Sequence, residues 1–225
     1  MPKLWSKIRV LAGEVLIKIS DILAPEDERI ARLLSIPFAE LRTLLPNSRV
    51  RLEDRHVLFD YQNKTVRSLI HYLKFKNNFN VINFFAKCLQ DDLLEIVSDI
   101  QTFDGRAPLI TTVPMSKKEL RERGFNHTES LLQKLKSLSD STFEIRFDLL
   151  KKVRDTDRQA KLGREARAKN LYKCMEVFPS ASSLVEGRTI ILIDDVFTTG
   201  ATFDETSRAL SAACPKKVIG VFLAH

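Results

Sequence analysis

The sequence has few cysteines, no long apolar run and no internal repeat, and each shortage removes a class of protein. Three cysteines, Cys88, Cys174 and Cys214, are scattered over 225 residues with no Cys-x-x-Cys pair. That spacing argues against a disulfide framework or a zinc ribbon and suits a reducing cytoplasm, where each thiol is expected to serve as a small buried hydrophobe. No stretch approaches the roughly 20 apolar residues that span a bilayer. Lys3, Lys7 and Arg9 open the chain, but Glu14 and Lys18 interrupt the apolar run that a cleaved signal peptide needs. Low-complexity segments are also missing.

What remains is an ordinary globular composition, 44% hydrophobic and 29% charged, enough for one large domain or one domain with an appendage. The net charge is +7, and its location matters more than its size. Between Met115 and Asn170 stand fifteen Lys/Arg and nine Asp/Glu, a balance of +6, so nearly all the excess lies there. A localised basic surface attracts phosphate, on a small ligand or on nucleic acid; the plain alternative is a solvated surface whose charges pair with each other.

Apolar spacing predicts an amphipathic helix over Leu4–Leu23, ended by Asp21 and Pro25, which either docks on the rest of the protein or lies on a membrane surface. Shorter helices are predicted around Arg29–Leu34 and Phe38–Leu45. After Pro46 the pattern changes. Strands are predicted at His56–Tyr61, Leu109–Val113, Phe143–Leu149, Thr189–Ile193 and Lys217–Leu223. Helices are predicted from Asn63, as a cap, to Phe75, then over Phe79–Val97, Asn126–Leu138, Lys161–Lys169 and Thr202–Cys214. Strands alternating with helices imply an α/β fold with a mostly parallel sheet covered on both faces. The division expected is a helical extension over residues 1–50 and an α/β domain over 51–225.

The chemistry concentrates in Ile190–Thr202. A buried strand ends in adjacent carboxylates, Asp194 and Asp195, then come two apolar residues, the turn Thr198-Thr199-Gly200-Ala201-Thr202, and a helix. Parallel sheets bind ligands outside the carboxyl ends of their strands. Carboxylates there suit the two vicinal hydroxyls of a ribose, and alternation along the strand points one aspartate at the ligand while the other flanks it. The turn offers backbone N–H groups, the hydroxyls of Thr198, Thr199 and Thr202, and a helix N-terminus, which together bind an anion. Diol recognition followed at once by phosphate recognition describes a sugar 5-phosphate. Two plainer readings stay open: a magnesium-holding acid pair of a hydrolase or receiver-like domain, and a common strand-to-helix turn with a capping threonine.

The ordered string resembles the 5-phosphoribosyl-1-pyrophosphate (PRPP) signature of type I phosphoribosyltransferases. Further segments resemble the ComF family of phosphoribosyltransferase-like proteins, associated with competence for DNA uptake. These are Val113-Pro114-Met115-Ser116 with Arg121-Glu122-Arg123-Gly124-Phe125-Asn126, Asp60-Tyr61, and Val66-Arg67-Ser68-Leu69-Ile70 with Leu73-Lys74-Phe75. Arg154, Thr156, Gln159, Leu162, Arg167 and Asn170 fall at the spacing of its charged loop. The resemblance runs from about His56 to His225. It implies the type I phosphoribosyltransferase fold and a role for Asp194 and Asp195 in catalysis. It assigns PRPP or ribose 5-phosphate to Asp194, Asp195, Thr198, Thr199, Gly200, Ala201 and Thr202. Pro114, Met115, Ser116, Lys117, Arg121 and Arg123 are assigned to the pyrophosphate, and Arg154, Gln159, Lys161 and Arg167 to a flexible loop. Magnesium would arrive on the diphosphate, with no metal site of the protein's own. Many ComF-like proteins begin with a four-cysteine zinc module; residues 1–55 here hold no cysteine, so no zinc is expected.

The reaction implied is displacement of pyrophosphate from C1 of PRPP by a nitrogen nucleophile, in the cytoplasm, with the acceptor unidentified and a homodimer left open. Thr198 stands where purine salvage enzymes of the hypoxanthine type carry an aspartate toward the base, which puts that substrate class in doubt. The rival reading is a non-enzymatic accessory protein in DNA uptake or processing that binds PRPP or single-stranded DNA, although no aromatic-rich basic patch is evident around Phe125. His127 is expected to be an exposed helix-start residue, and His71 a structural one. Residues Arg154–Asn170 carry six basic and three acidic side chains with Leu162 as the main large apolar one. They are expected either to close as a lid over the diphosphate or to form an ordered helix. The lid requires rapid tryptic cleavage between Arg158 and Arg167 in the free protein and protection by PRPP with magnesium; equal rates in both conditions reject it.

Overall fold

Strand β7 (Thr189–Val196) is buried on both faces for most of its length, as Val/Ile/Leu-rich central strands of parallel sheets are. The computed structural model describes residues 26–48, 50–52, 54–139, 142–156 and 164–225. The helix expected over Leu4–Leu23 lies outside the described residues. Chain order runs α1 (Glu26–Leu34), α2 (Phe38–Leu44), β1 (Arg51–Leu52), β2 (Arg55–Phe59), α3 (Lys64–Lys76), α4 (Phe79–Asp104) and β3 (Leu109–Thr112). It continues α5 (Lys117–Arg123), α6 (His127–Leu138), β4 (Glu144–Ile145), β5 (Leu150–Lys152), α7 (Arg164–Leu171), β6 (Met175–Val177), α8 (Ser182–Val185), β7, α9 (Ala201–Ser211) and β8 (Lys217–Ala224).

The main sheet has six strands in the order β1-β2-β8-β7-β3-β4, all parallel except the short β1, which pairs with β2 as a hairpin. β5 and β6 form a separate antiparallel ribbon. Three helices start on asparagines whose side chains accept backbone N–H bonds: Asn63 for α3, Asn78 for α4 and Asn126 for α6. Gly124 closes α5 in the left-handed conformation, so α5 and α6 are separate helices with a sharp corner between them.

Alternation along β7 sends its side chains into two cores. Ile191 and Ile193 pack with α3, α4 and α6, and with Ile30, Leu33 and Leu41 of α1 and α2, so the described part of residues 1–50 shares the core of the sheet. Ile190 and Leu192 face the other way, toward Leu171 of α7, Met175 of β6, Val185 of α8 and Ala201, Phe203 and Leu210 of α9. At the N-terminal edge of the sheet, buried Arg188 donates to both carboxylate oxygens of Glu144, at 3.0 and 2.6 Å, tying β7 to β4.

Some boundaries differ from expectation. The strand expected over Phe143–Leu149 is reduced to Glu144–Ile145, because Arg146–Asp148 turns the chain and closes an ion pair across two residues. The ribbon β5–β6 had no strong apolar alternation to announce it. Cys88 and Cys174 are buried, but Cys214 is exposed beyond the end of α9, a departure from the expected buried thiol; all three are free. Residues 157–163, the centre of the expected lid with Gln159 and Lys161, lie outside the described residues.

Gly220 in β8 marks the closest packing on the α9 side. A Cβ there would stand 2.5 Å from the ring of Phe222 and 2.9 Å from that of Phe203. Gly220→Ala is expected to cost about 1–3 kcal/mol as an overpacking change, read as a lower urea midpoint with an unchanged slope.

Candidate functional site

Four elements converge at the C-terminal end of β7. The last turn of α3 brings Lys74, whose Nζ donates to Asp195 Oδ1 at 2.9 Å. The first turn of α6 brings His127, whose Nε2 lies 2.5 Å from Asp195 Oδ2. The end of α5 brings Arg123, which meets His127 Nδ1 at 2.9 Å. Arginine only donates, so Nδ1 accepts and the imidazole proton sits on Nε2, donated to Asp195. The chain Arg123–His127–Asp195–Lys74 therefore has a defined direction at every link. Both Asp195 oxygens are committed to protein partners.

Asp194, one residue earlier, faces the α9 side, half-buried, with Oδ1 accepting the backbone N–H of Asp195 at 2.9 Å. Burial raises its carboxyl pKa, and the Asp195 charge raises it further; the backbone N–H and Lys74 oppose them, leaving it at about 7. Burial acts the same way on Asp195, but there Lys74 and then the His127 hydrogen bond outweigh it and hold the group well below the usual carboxylate range. Burial lowers Lys74, yet the Asp195 carboxylate beside it leaves the ammonium above its ordinary value.

Beyond β7 the chain turns through Thr198, Thr199 and Gly200 into α9. Gly200 is left-handed at φ 81°, and a Cβ there would press on the Phe197 ring at 3.2 Å. No side chain caps α9 at Gly200; Thr199 Oγ1 makes a long 3.4 Å contact with the N–H of Ala201. Thr198 is exposed, Thr199 and Thr202 half-buried, and Ala201 buried. Phe197 is held by Phe222, by His225 at 5.3 Å and by the Arg55 guanidinium. Arg55 also donates to Asp204 in the first turn of α9 at 2.9 Å.

The second loop follows β3. Pro114 and Met115 are half-buried and Ser116 is buried. Ser116 and Glu119 form a capping box: Ser116 Oγ accepts the Glu119 N–H at 3.1 Å and a Glu119 oxygen accepts the Ser116 N–H at 2.8 Å. Lys152 of β5, its side chain almost fully buried, completes the cluster at 2.8 Å from Glu119. Burial would raise Glu119, but the hydrogen bonds from Lys152 and Ser116 and the Lys152 charge together outweigh it and the pKa falls. Lys117 is exposed. Arg121 is also exposed and its Nε donates to the Lys117 carbonyl of its own helix, so of the three expected pyrophosphate cations only Arg123 joins the buried chain. Arg154 donates to the carbonyls of Asn170 and Tyr172, 2.9 Å each, and so ties together the two ends of the expected loop. The backbone of Arg167 belongs to α7.

Two expectations are corrected here. His127 is buried within the site, because it occupies the apolar stripe of α6 that continues through Leu131 and Leu135. Aromatic and basic side chains also meet where the sequence kept them apart. The Arg123 guanidinium lies 5.2 Å from the ring centre of exposed Phe75, and Lys134 lies 5.2 Å from that of exposed Phe79. His71 is exposed, and its ring lies tilted at 43° over Phe75 with centroids 5.0 Å apart. Among the described residues, no group of three or more His, Cys, Asp or Glu side chains is placed to hold a metal ion, and no helix is long and apolar enough to cross a membrane.

A parallel sheet whose central strand ends in two acids and turns through glycine into a helix is the arrangement expected of a type I phosphoribosyltransferase-like fold. The sequence model of the phosphoribosyl transferase domain matches residues 121–225. The chain is 28% identical over 169 residues to competence protein ComFC of Bacillus subtilis (strain 168), covering 75% of this chain and 62% of that one. It is 29% identical over 143 residues to DNA utilization protein YhgH of Escherichia coli (strain K12), covering 63% and 59%. These similarities agree with the resemblance to the ComF family read from the sequence. The chain spans less than two thirds of the length of these relatives. Among solved structures it is similar to the hypoxanthine-guanine phosphoribosyltransferase of L. donovani, with 14% identity, a TM-score of 0.36, and coverage of 70% of this chain and 68% of that one.

Asp194 binds its proton more tightly folded than unfolded. Its ionisation therefore costs stability that is absent below about pH 4, grows as pH rises, and is complete above about pH 7. Asp194→Asn keeps the oxygen that accepts the Asp195 N–H and removes this cost. The variant is expected to match the wild type at pH 4 and to exceed it by roughly 1–3 kcal/mol at pH 8, measured by urea denaturation across that range.

Proposed function

We propose that the chain binds PRPP at the C-terminal end of β7 and transfers its phosphoribosyl group to a nitrogen acceptor, releasing pyrophosphate. The observation that carries the reading is the division of the acid pair. Asp195 is fully engaged by Lys74 and His127, while Asp194 faces the side of the sheet where the Gly200 turn opens α9. An acceptor of diol hydrogen bonds thus stands next to an N-terminal turn without a side-chain cap, which is what a ribose 5-phosphate needs.

Beside it, after β3, lies the loop over residues 113–116, next to which exposed Lys117 and half-buried Arg123 would meet the diphosphate. Magnesium would be held by the diphosphate itself and would offset its charge. In the reaction the acceptor nitrogen forms a bond to C1, the C1–O bond to pyrophosphate breaks with its electron pair, and the nitrogen loses a proton. The protein supplies orientation and charge stabilisation.

A second reading is favoured by one observation, the exposed Phe75–Arg123 and Phe79–Lys134 pairs, the first of which adjoins the site through Arg123. Exposed rings flanked by cations stack successive bases of a single strand while the cations meet its phosphates. On that reading the protein is an accessory factor in DNA uptake or processing.

Calorimetry with PRPP and with ribose 5-phosphate, magnesium present, separates the two. Transferase function requires binding of both ligands and at least a tenfold loss in Asp194→Asn, about what loss of a charged acceptor costs. It also requires pyrophosphate release with some base or amine. If neither ligand binds, the reading fails. If instead a single-stranded oligonucleotide binds, with affinity that falls steeply with salt and drops about 5–100-fold on Phe75→Ala, the second reading takes its place.

A further inference from the structure

The buried chain of charges contains two residues, Lys74 and His127, that no diol or phosphate reading of the motif requires. Each arrives from a different helix, and each is placed on that helix's apolar stripe: Lys74 one turn beyond Ile70, and His127 one turn before Leu131, both of those leucine or isoleucine side chains being fully buried. An ammonium and an imidazole are costly to bury unless they have a partner there. The partner of both is Asp195, on its two separate oxygens.

We infer that Lys74 and His127 are positioning residues that pin the inward-facing aspartate and hold it as a carboxylate. With Asp195 so fixed from two helices, Asp194 is left as the acid that meets a ligand. The inference builds on the proposed function, in that the ligand is read as a ribose phosphate.

Adjacent strand residues point to opposite faces, so the choice between the acids is a choice between faces of the sheet. The inward face holds Lys74 from α3, His127 from α6, Arg123 from α5 behind the imidazole, and Tyr61 after β2, a neutral phenol on the Lys74 side. On the outward face Asp194 has the Asp195 backbone N–H as its hydrogen-bond donor. Two neighbouring carboxylates cannot both be ionised cheaply, so fixing the charge on one places the labile proton on the other. Arg123 contributes by holding Nδ1 as an acceptor, which aims the single imidazole proton at Asp195. A diol ligand donates hydrogen bonds and needs Asp194 ionised, so its binding expels the Asp194 proton.

Carboxyl NMR of the free protein tests the assignment without any ligand. Asp194 is expected to titrate near neutral pH while Asp195 stays ionised from pH 4 to 9, and the His127 ring nitrogens are expected to show a protonated Nε2 and a bare Nδ1. A titrating Asp195 beside a constantly ionised Asp194 overturns the inference. Lys74→Met is expected to move the Asp194 midpoint up by about one pH unit, through loss of the ammonium that favours its ionised form, and His127→Phe to raise the Asp195 midpoint. Lys74→Arg, which keeps the cation, and His127→Gln, which keeps a donor at the Nε2 position, are expected to restore most of the respective wild-type midpoint. A merely structural role lowers the melting temperature of all four variants and leaves both midpoints alone; a folded Lys74→Met with the wild-type Asp194 midpoint therefore also overturns the inference.

Ribose 5-phosphate binding then reads the consequence. Affinity at pH 7 should fall about tenfold in Lys74→Met, with the deficit shrinking toward pH 9, and wild-type binding should release a proton, seen in buffers of different ionisation enthalpy. Absence of any ribose 5-phosphate or PRPP binding by the wild type removes the proposed ligand while the carboxyl titration still decides the roles of Lys74 and His127.

Discussion

Two carboxylates on consecutive residues at the end of a buried strand repel each other, and much of the architecture answers that repulsion. One acid must be compensated from inside the protein, so a cation and a hydrogen-bond donor have to reach Asp195 through the layer that covers the sheet. Helix α3 runs far enough to deliver Lys74, and the corner at Gly124 turns the chain so that α6 begins with His127 in place. The asparagine caps of both helices set where their first turns begin. The covering layer therefore carries electrostatic information as well as apolar area.

The opposite layer is built for a different task. Its core closes around Phe197, Phe203 and Phe222, whose rings approach β8 so closely that position 220 has room only for glycine. This packing holds the turn that leads into α9, and Arg55 clamps it from the outside through two ring faces and Asp204. Glu205, buried and paired with Arg208, reaches the N–H of Met175 and so anchors the β5–β6 ribbon to the same helix. Rigid support on this side and charge compensation on the other meet at one strand end.

The parallel sheet, the acid-ended strand and the glycine turn were legible because each depends on local pattern: a β-branched apolar run, an ordered motif, and a residue with special backbone freedom. The partners of Asp195 were not, since Lys74 and His127 lie 121 and 68 positions away (195 − 74 and 195 − 127) and only the fold brings them together. A faint signal existed, because both interrupt an otherwise apolar helical stripe, where a titratable side chain requires a partner. The aromatic–cation pairs were missed for a related reason: Phe75 and Phe79 precede the basic stretch in sequence, and Phe79 joins it through the packing of α4 against α6 while Phe75 at the end of α3 meets Arg123 at the end of α5. The ribbon β5–β6 escaped because two three-residue strands with charged side chains have too little alternation to read.

The lock between Lys152, Glu119 and Ser116 has a bearing on how such a sequence can change. Glu119 serves three masters: it caps α5, it holds the backbone of the loop after β3, and it neutralises a lysine that has almost no access to water. Folding has therefore already ordered that loop before any ligand arrives, so little affinity is lost to ordering it later. The same arrangement ties the fate of positions 119 and 152 together across lineages. Loss of either charge strands the other, so exchanges that remove the acid and the base together are expected to be tolerated better than either alone.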